Sequence, residues 1–302
     1  MKEYAYGICG IPLRISLPDE VEPVGAIEPF RRETPPEPGE VRYTAKWYSG
    51  LPEDVGTIVN RQPGYRIRQT GDGYRYEFNV GYEKNPYCLL LDMDPGGQGN
   101  TLWLPEAHGA LLREGGLPVA QNLGQDLLFL PRDRILMHAS LVRYRGQGIL
   151  FTGPSGMGKS TQAGLWQRCF GAEVLNGDKT VLHLAEEGTW AWGSPYAGTS
   201  GIYRNESAKA AGILSLRQGE KNEIRRLRGR EALTELLPRM GTAPWAGQWH
   251  GRGMDLVLAL LDRVPVYRLS CRPDPGAAEL TYKTLFPQWA ETALRETQED
   301  GK

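Results

Sequence analysis

The chain has 302 residues, 40% of them apolar, enough for one large domain or two of ordinary size with a buried core. Lys and Arg total 35 against 36 for Asp and Glu, a balance that gives no electrostatic reason to expect nucleic acid or an acidic lipid surface as partner. The opening MKEYAYGICGIPLRISLPDEV lacks the apolar run of a secretory signal and no later stretch is long enough to span a bilayer, so a soluble, cytoplasmic protein with no membrane partner is expected.

In chain order, the first part, residues 1–130, is expected to be β-rich. Its β-like runs are Ala5 to Ile15, Val41 to Trp47, Tyr65 to Gln69, Tyr74 to Val80 and Tyr87 to Leu91, separated by Gly, Pro, Asn and Asp clusters. From residue 131 to 302 strands alternate with helical stretches, the texture of an α/β layer structure. Arg134 to Val142 reads as a strand, Gln147 to Thr152 as a short apolar strand, and Lys159 to Phe170 as a helix with Ala163, Leu165, Trp166 and Phe170 at apolar positions. Strands follow at Ala172 to Asn176, Thr180 to Leu184, Thr189 to Gly193, Gly212 to Leu216, Glu223 to Leu227 and Val266 to Ser270. Helices are expected at Arg230 to Arg239, at Asp255 to Asp262 and after Asp274-Pro275. Cys9, Cys88, Cys169 and Cys271 lie far apart without a CxxC pair, which fits reduced, mostly buried thiols rather than a disulfide frame or a zinc site.

Between the strand at Gln147 and the helix at Lys159 stands Gly153-Pro-Ser155-Gly156-Met157-Gly158-Lys159-Ser160, which satisfies GxxxxGK[ST] at every defined position. In that setting the glycines let the backbone turn its N–H groups inward, so that the positive end of the helix faces a phosphate chain. Lys159 is then the charge that reaches the β and γ phosphates, and Ser160 the hydroxyl for Mg²⁺, with Thr161 the next hydroxyl on the same turn. The cofactors implied are ATP, or another nucleoside triphosphate, and Mg²⁺. Such a loop needs a carboxylate to hold the metal or take a proton. Asp178, at the end of Leu175-Asn176-Gly177-Asp178, supplies one at the carboxyl end of the next strand. Gly-Asp is also ordinary turn chemistry.

Met137-His138-Ala139-Ser140, the loop with its preceding Gly148-Ile-Leu-Phe-Thr, and Leu175-Asn-Gly-Asp178 together resemble the core of HPr kinase/phosphorylase and its relatives, including HPr kinase-like enzymes that phosphorylate lasso-peptide precursors. The order also looks like the nucleotide site of ATP-dependent phosphoenolpyruvate carboxykinase. Trp192-Gly-Ser-Pro-Tyr-Ala-Gly198, Arg204-Asn205-Glu206 and Val266-Tyr-Arg-Leu-Ser-Cys-Arg272-Pro-Asp-Pro275 look closer to the HPr kinase-like relatives. The resemblance implies an α/β fold of the carboxykinase/HPr kinase type, His138 near the γ-phosphate, Lys159 and Ser160 on phosphate and metal, and Asp178 as base or metal ligand. It permits a homo-oligomer. Lys179 stands where the family has a second Asp, which removes a metal-binding carboxylate and argues against carboxykinase chemistry and the phosphorylase reverse reaction. No counterpart of the signature that follows the family's acidic pair is evident, so HPr itself is not the expected acceptor.

Among other residues, His138 taken alone reads as a core histidine, and the resemblance is what makes it a site residue. Ser194 and Tyr196, in a loop of glycines and small hydroxyl residues, and Arg204 and Asn205 just after it, are candidates for the acceptor side; a surface connection and a helix start are the plain alternatives. The expected activity is transfer of the γ-phosphoryl group to a hydroxyl, that of a peptide or protein serine or of a small alcohol. A nucleotide-dependent switch ATPase and a non-catalytic nucleotide-binding module remain as alternatives.

Overall fold

The computed structural model describes every residue except 51, 52, 54, 72, 79–87, 98 and 291–302. It is a mixed α/β protein of two compact units, one formed by Met1–Arg134 with Thr242–Met254, the other by Ile135–Gly241 with Asp255–Lys302. A single division after residue 130 leaves out the segment Thr242–Met254, which returns to the first unit.

Among the described residues the first unit carries strands β1 (Lys2–Ile8), β2 (Ile11–Leu17), β3 (Arg31–Arg32), β4 (Val41–Tyr48), β5 (Thr57–Gln62), β6 (Tyr65–Thr70), β7 (Gly73–Phe78), β8 (Leu89–Met93) and β9 (Gly99–Pro105). They form one sheet in the order β3-β1-β2-β4-β9-β8-β7-β6-β5. The run Ala5 to Ile15, expected as one strand, is a hairpin: β1 and β2 pair from Lys2↔Leu17 to Ile8↔Ile11, and the turn is Cys9 and Gly10, both at positive φ (52° and 75°). Two consecutive left-handed residues give the turn whose twist matches an antiparallel pair. Strands β5 and β9 were not expected from the sequence. The expected runs at 74–80 and 87–91 reach residues 79, 80 and 87, which lie outside the described residues. Helices α1 (Gly109–Gly115) and α2 (Gln125–Phe129) complete this part of the chain.

The second unit is built on β10 (Arg134–Tyr144), β11 (Gln147–Thr152), α3 (Lys159–Phe170), β12 (Glu173–Asn176), β13 (Lys179–Ala185), β14 (Gly188–Trp192), β15 (Ser207–Gln218), β16 (Glu223–Leu227), α4 (Gly229–Leu236), the part of α5 (Gln248–Arg263) from Asp255 on, β17 (Val266–Cys271) and α6 (Pro275–Leu285). Pairing runs β11-β10-β13-β14-β15, and β15 returns to β11, closing a circuit of five strands. Strand β15 is far longer than the expected Gly212 to Leu216. Its first half pairs with β14, its second with β17, and its other edge runs parallel to β11. Strands β11, β15 and β17 are therefore mutually parallel in sequence of pairing and end on one side, where ligands usually bind in α/β sheets.

Helix α3 and helix α6 cover a core of Val142, Ile149, Phe151, Trp166, Leu214, Leu216, Leu269 and Phe286. The helix expected at Arg230 to Arg239 stops at Leu236, and Leu237–Arg239 is a 3₁₀ turn. Pro238, which has no N–H to continue the ladder, falls inside that turn, while Leu237 before it keeps helical backbone (φ −50°, ψ −42°). Helix α5 begins seven residues before the expected Asp255, at Gln248.

Candidate active site

The glycine loop leaves β11 at Thr152 and enters α3 at Lys159. Gly158, the residue before the helix, has φ +97°, a conformation that a side chain would strain, so the motif's last glycine is needed for the loop to turn into the helix. A cleft of about 290 Å³ opens over the loop, lined by Ser155, Gly156, Gly158, Lys159, Ser160 and Thr161 on one side and by His138, Gly177, Asp178, Ala197, Thr199 and Ser200 on the other. Residues from β10, the loop, the β12–β13 turn and the segment after β14 thus converge on one space. Of the expected loop residues, Met157 instead lines a second cavity, and Gly153 carries the carbonyl on which Lys159 Nζ rests at 3.4 Å.

His138 Nε2 lies 2.9 Å from Asp178 Oδ1. An ionised carboxylate only accepts, so Nε2 carries the proton. Burial, and next the positive charge of Lys159, push the His138 pKa below its ordinary value; the Asp178 charge opposes them. At neutral pH the imidazole is therefore held neutral, donating one hydrogen bond that orients the carboxylate. Lys159 is only 9% exposed, and burial likewise lowers its pKa against the raising effect of Asp178.

The segment after β14 passes close behind the carboxylate. A Cβ on Gly198 would lie 2.7 Å from Asp178 Cγ, and Gly198 has φ +54°, so only glycine lets Ala197, Thr199 and Ser200 line the cleft at that distance.

No family model matches the chain, and no curated protein matches it. Among solved structures, it is similar to the HPr(Ser) kinase/phosphatase from Coxiella burnetii, at 13% identity and a TM-score of 0.32, over 55% of this chain and 96% of that one. At that score the likeness carries no further argument.

The expected acceptor-side residues do not line the cleft. Ser194 is fully buried; its Oγ donates to the Lys179 carbonyl at 2.5 Å and accepts from the Tyr196 N–H at 3.2 Å, so it is spent on the local backbone. Tyr196 is 8% exposed, with Lys179 Nζ 5.8 Å from its ring centre. Arg204 is exposed and pairs with Glu173 at 3.6 Å and Glu206 at 3.9 Å, and Asn205 follows it on that surface segment. From this loop the small hydroxyl residues that line the cleft are instead Thr199 and Ser200, a few positions on.

Two residues escaped the sequence reading. Asn176 is fully buried, and its carboxamide oxygen accepts from the N–H groups of Asp178 and Lys179, both at 2.8 Å, while Nδ2 donates to Ser194 O at 2.9 Å and Tyr196 O at 3.4 Å. It fixes the turn that presents Asp178. The signal was there: Asn followed by Gly-Asp is the pattern of an Asx turn. Arg239 is the other. Its charge lowers the Lys159 pKa, which places it within electrostatic reach of the loop, and its Nε is buried without a hydrogen-bond partner among the described residues. The bridge between Met137 and Met240 brings it beside the strand that carries His138. Arg239 does not line the cleft, but a guanidinium near the Lys159 ammonium with an unused Nε donor suits the surroundings of phosphate oxygens.

Proposed function

We propose that the protein is an Mg²⁺-dependent kinase that moves the γ-phosphoryl group of ATP, or of another nucleoside triphosphate, to a hydroxyl of a peptide or protein serine or of a small alcohol. One observation carries this reading: a single cleft joins Lys159 and Ser160 of a phosphate loop to a carboxylate, Asp178, already oriented by a neutral histidine. With Oδ1 taken by His138, the other carboxylate oxygen is left to accept the proton of the acceptor hydroxyl. The hydroxyl oxygen then bonds to the γ-phosphorus, the bond from that phosphorus to the bridging oxygen breaks, and the nucleoside diphosphate leaves. Lys159, the loop N–H groups and Arg239 meet the charge on the phosphoryl oxygens in a part-buried site, where fixed cations act more strongly than in water.

Ser160 Oγ and the Asp178 carboxylate are hard oxygen donors of the kind Mg²⁺ takes. Among the described residues no three His, Cys, Asp or Glu side chains converge on one point, so the ion's other ligands would be phosphate and water oxygens. Bound there, it would neutralise charge on the transferring group. The motif resemblance supports assigning the second unit to the HPr kinase-like nucleotide fold, and the chain's free cysteines suit a cytoplasmic setting.

The test is nucleotide turnover by the purified protein with Mg²⁺, wild type beside Lys159→Ala and Asp178→Asn, across a panel of serine peptides and small alcohols. Phosphorylated acceptor is expected in the wild type only, with Asp178→Asn still binding nucleotide. Acceptor-independent hydrolysis would replace the kinase by a switch ATPase, and tight binding without turnover by a binding module.

A further inference from the structure

We infer that the first unit carries a binding site for an organic ammonium ion, in a pocket walled by Tyr65, Tyr76 and Phe78 and closed by the Asp126 carboxylate. The pocket, of about 310 Å³, is lined by residues between 63 and 126, so it lies wholly within that unit and owes nothing to the phosphate loop. Its volume, and its aromatic walls set with a few polar groups, are those of a small-molecule site.

One wall follows from strand geometry. Residues two apart on a strand face the same way, so Tyr76 and Phe78 of β7 share a face, and the register Tyr65↔Phe78 sets Tyr65 of β6 beside them. The Tyr76 and Phe78 rings stack at 5.7 Å and 14°, and Trp245 meets Tyr76 edge-on at 6.0 Å. Tyr76 is thereby only 3% exposed and backs the wall. Tyr65 and Phe78 are part exposed; their ring centres lie 6.1 Å apart at 41°, a wedge rather than a closed stack.

The opposite wall is the segment 118–126, which is held in place without a ligand. Tyr43 Oη donates to Leu123 O at 2.9 Å, and Asn122 Nδ2 donates to Pro118 O at 3.0 Å. Asp126 lines the pocket from this side. Its charge raises the pKa of both Tyr65 and Tyr76, in each case after the larger effect of burial. Both phenols therefore stay neutral at neutral pH. Among the described residues no lysine, arginine or histidine lines the pocket, so its one charged lining residue is an acid. Aromatic faces are negative as well, and an ammonium ion wrapped in alkyl groups answers both features: its carbons lie on the rings and its charge is shared between the ring faces and Asp126. An anion would meet the same sign of charge on both sides.

Calorimetric titration of the full chain with choline, with its uncharged carbon isostere 3,3-dimethylbutan-1-ol and with a capped Gly-Lys-Gly peptide tests this, in the wild type, Asp126→Asn, Tyr65→Leu and Phe78→Leu. Choline is expected to bind the wild type about tenfold more tightly than the isostere. Asp126→Asn should remove most of that preference, and each leucine variant should weaken choline by roughly threefold or more, while the isostere binds all four proteins alike. The Asp126 variant keeps the side-chain shape at a part-exposed position, so the test stays open should an aromatic substitution unfold the protein. Once choline binds as expected, the peptide names the source of the cation: tighter binding than choline points to a protein lysine, weaker binding to a free amine. A choline affinity no better than that of the isostere, or one indifferent to Asp126→Asn, overturns the inference and leaves a plain apolar pocket.

Discussion

Lys159 sits in opposed fields. Burial lowers its pKa most, Arg239 lowers it further, and Asp178 raises it. The sign of two substitutions follows. Arg239→Gln removes a positive neighbour, so the ammonium is easier to keep and Lys159 loses its proton at higher pH than in the wild type. Asp178→Asn removes the negative neighbour and moves the same titration to lower pH. The rate of Lys159 acylation against pH, read by mass spectrometry on the ligand-free protein, gives both midpoints, and an Arg239→Gln midpoint that stays put or falls would remove Arg239 from the site. These two residues also mark what one sequence can disclose. Lys159, Ser160 and Asp178 stand in short strings whose spacing carries its own chemistry. Asn176 was half visible as a turn-former. Arg239 was invisible, because its approach depends on the pairing of Met137 with Met240, two residues distant in sequence with no local pattern that joins them.

Helices α3 and α6 illustrate the same divide one level up. The strand, loop and helix from Gln147 to Phe170 follow from an apolar run, a glycine motif and helical periodicity, all local. That α6 packs beside α3 does not, and the aromatic cluster between them makes the contact: Phe286 is 3% exposed, its ring 4.6 Å from Trp289, 6.2 Å from Tyr144 and 6.3 Å from Trp166, centre to centre. Phe286→Ala should cost about 3–5 kcal/mol, the usual range for emptying a buried aromatic site. Urea unfolding reads this as a lower midpoint at unchanged slope. A loss below about 1 kcal/mol, typical of a surface position, would mean that α6 does not close this core. Strand β5 was missed because Thr57-Ile-Val-Asn-Arg-Gln is mostly polar or exposed, and β9, which pairs antiparallel with its sequence neighbour β8, is also held by parallel pairing with the long-range partner β4.

The chain as a whole does not divide at a point. Thr242–Met254 belongs to the first unit although the sequence on either side of it builds the second. Texture could not show this, because the segment falls between two stretches of α/β pattern and carries no boundary signal of its own. Its contacts within the first unit are specific. Trp245 meets Tyr74 edge-on at 5.3 Å and Tyr76 at 6.0 Å, His250 Nδ1 lies 3.2 Å from Thr242 O, and Arg252 pairs with Asp133. Residues 1–134 expressed alone would keep the nine-stranded sheet but lose the ring that covers two of its tyrosines. Such a fragment should unfold at lower denaturant than the first unit does in the full chain. A synthetic peptide of residues 242–254 should raise the midpoint progressively, with the logarithm of its concentration once that exceeds its Kd, since it binds the folded state alone. The same peptide with Trp245→Ala should do far less, because an aromatic contact and its buried area carry the gain. A midpoint indifferent to both peptides would show that the segment merely passes through, and the first unit would then end at Arg134.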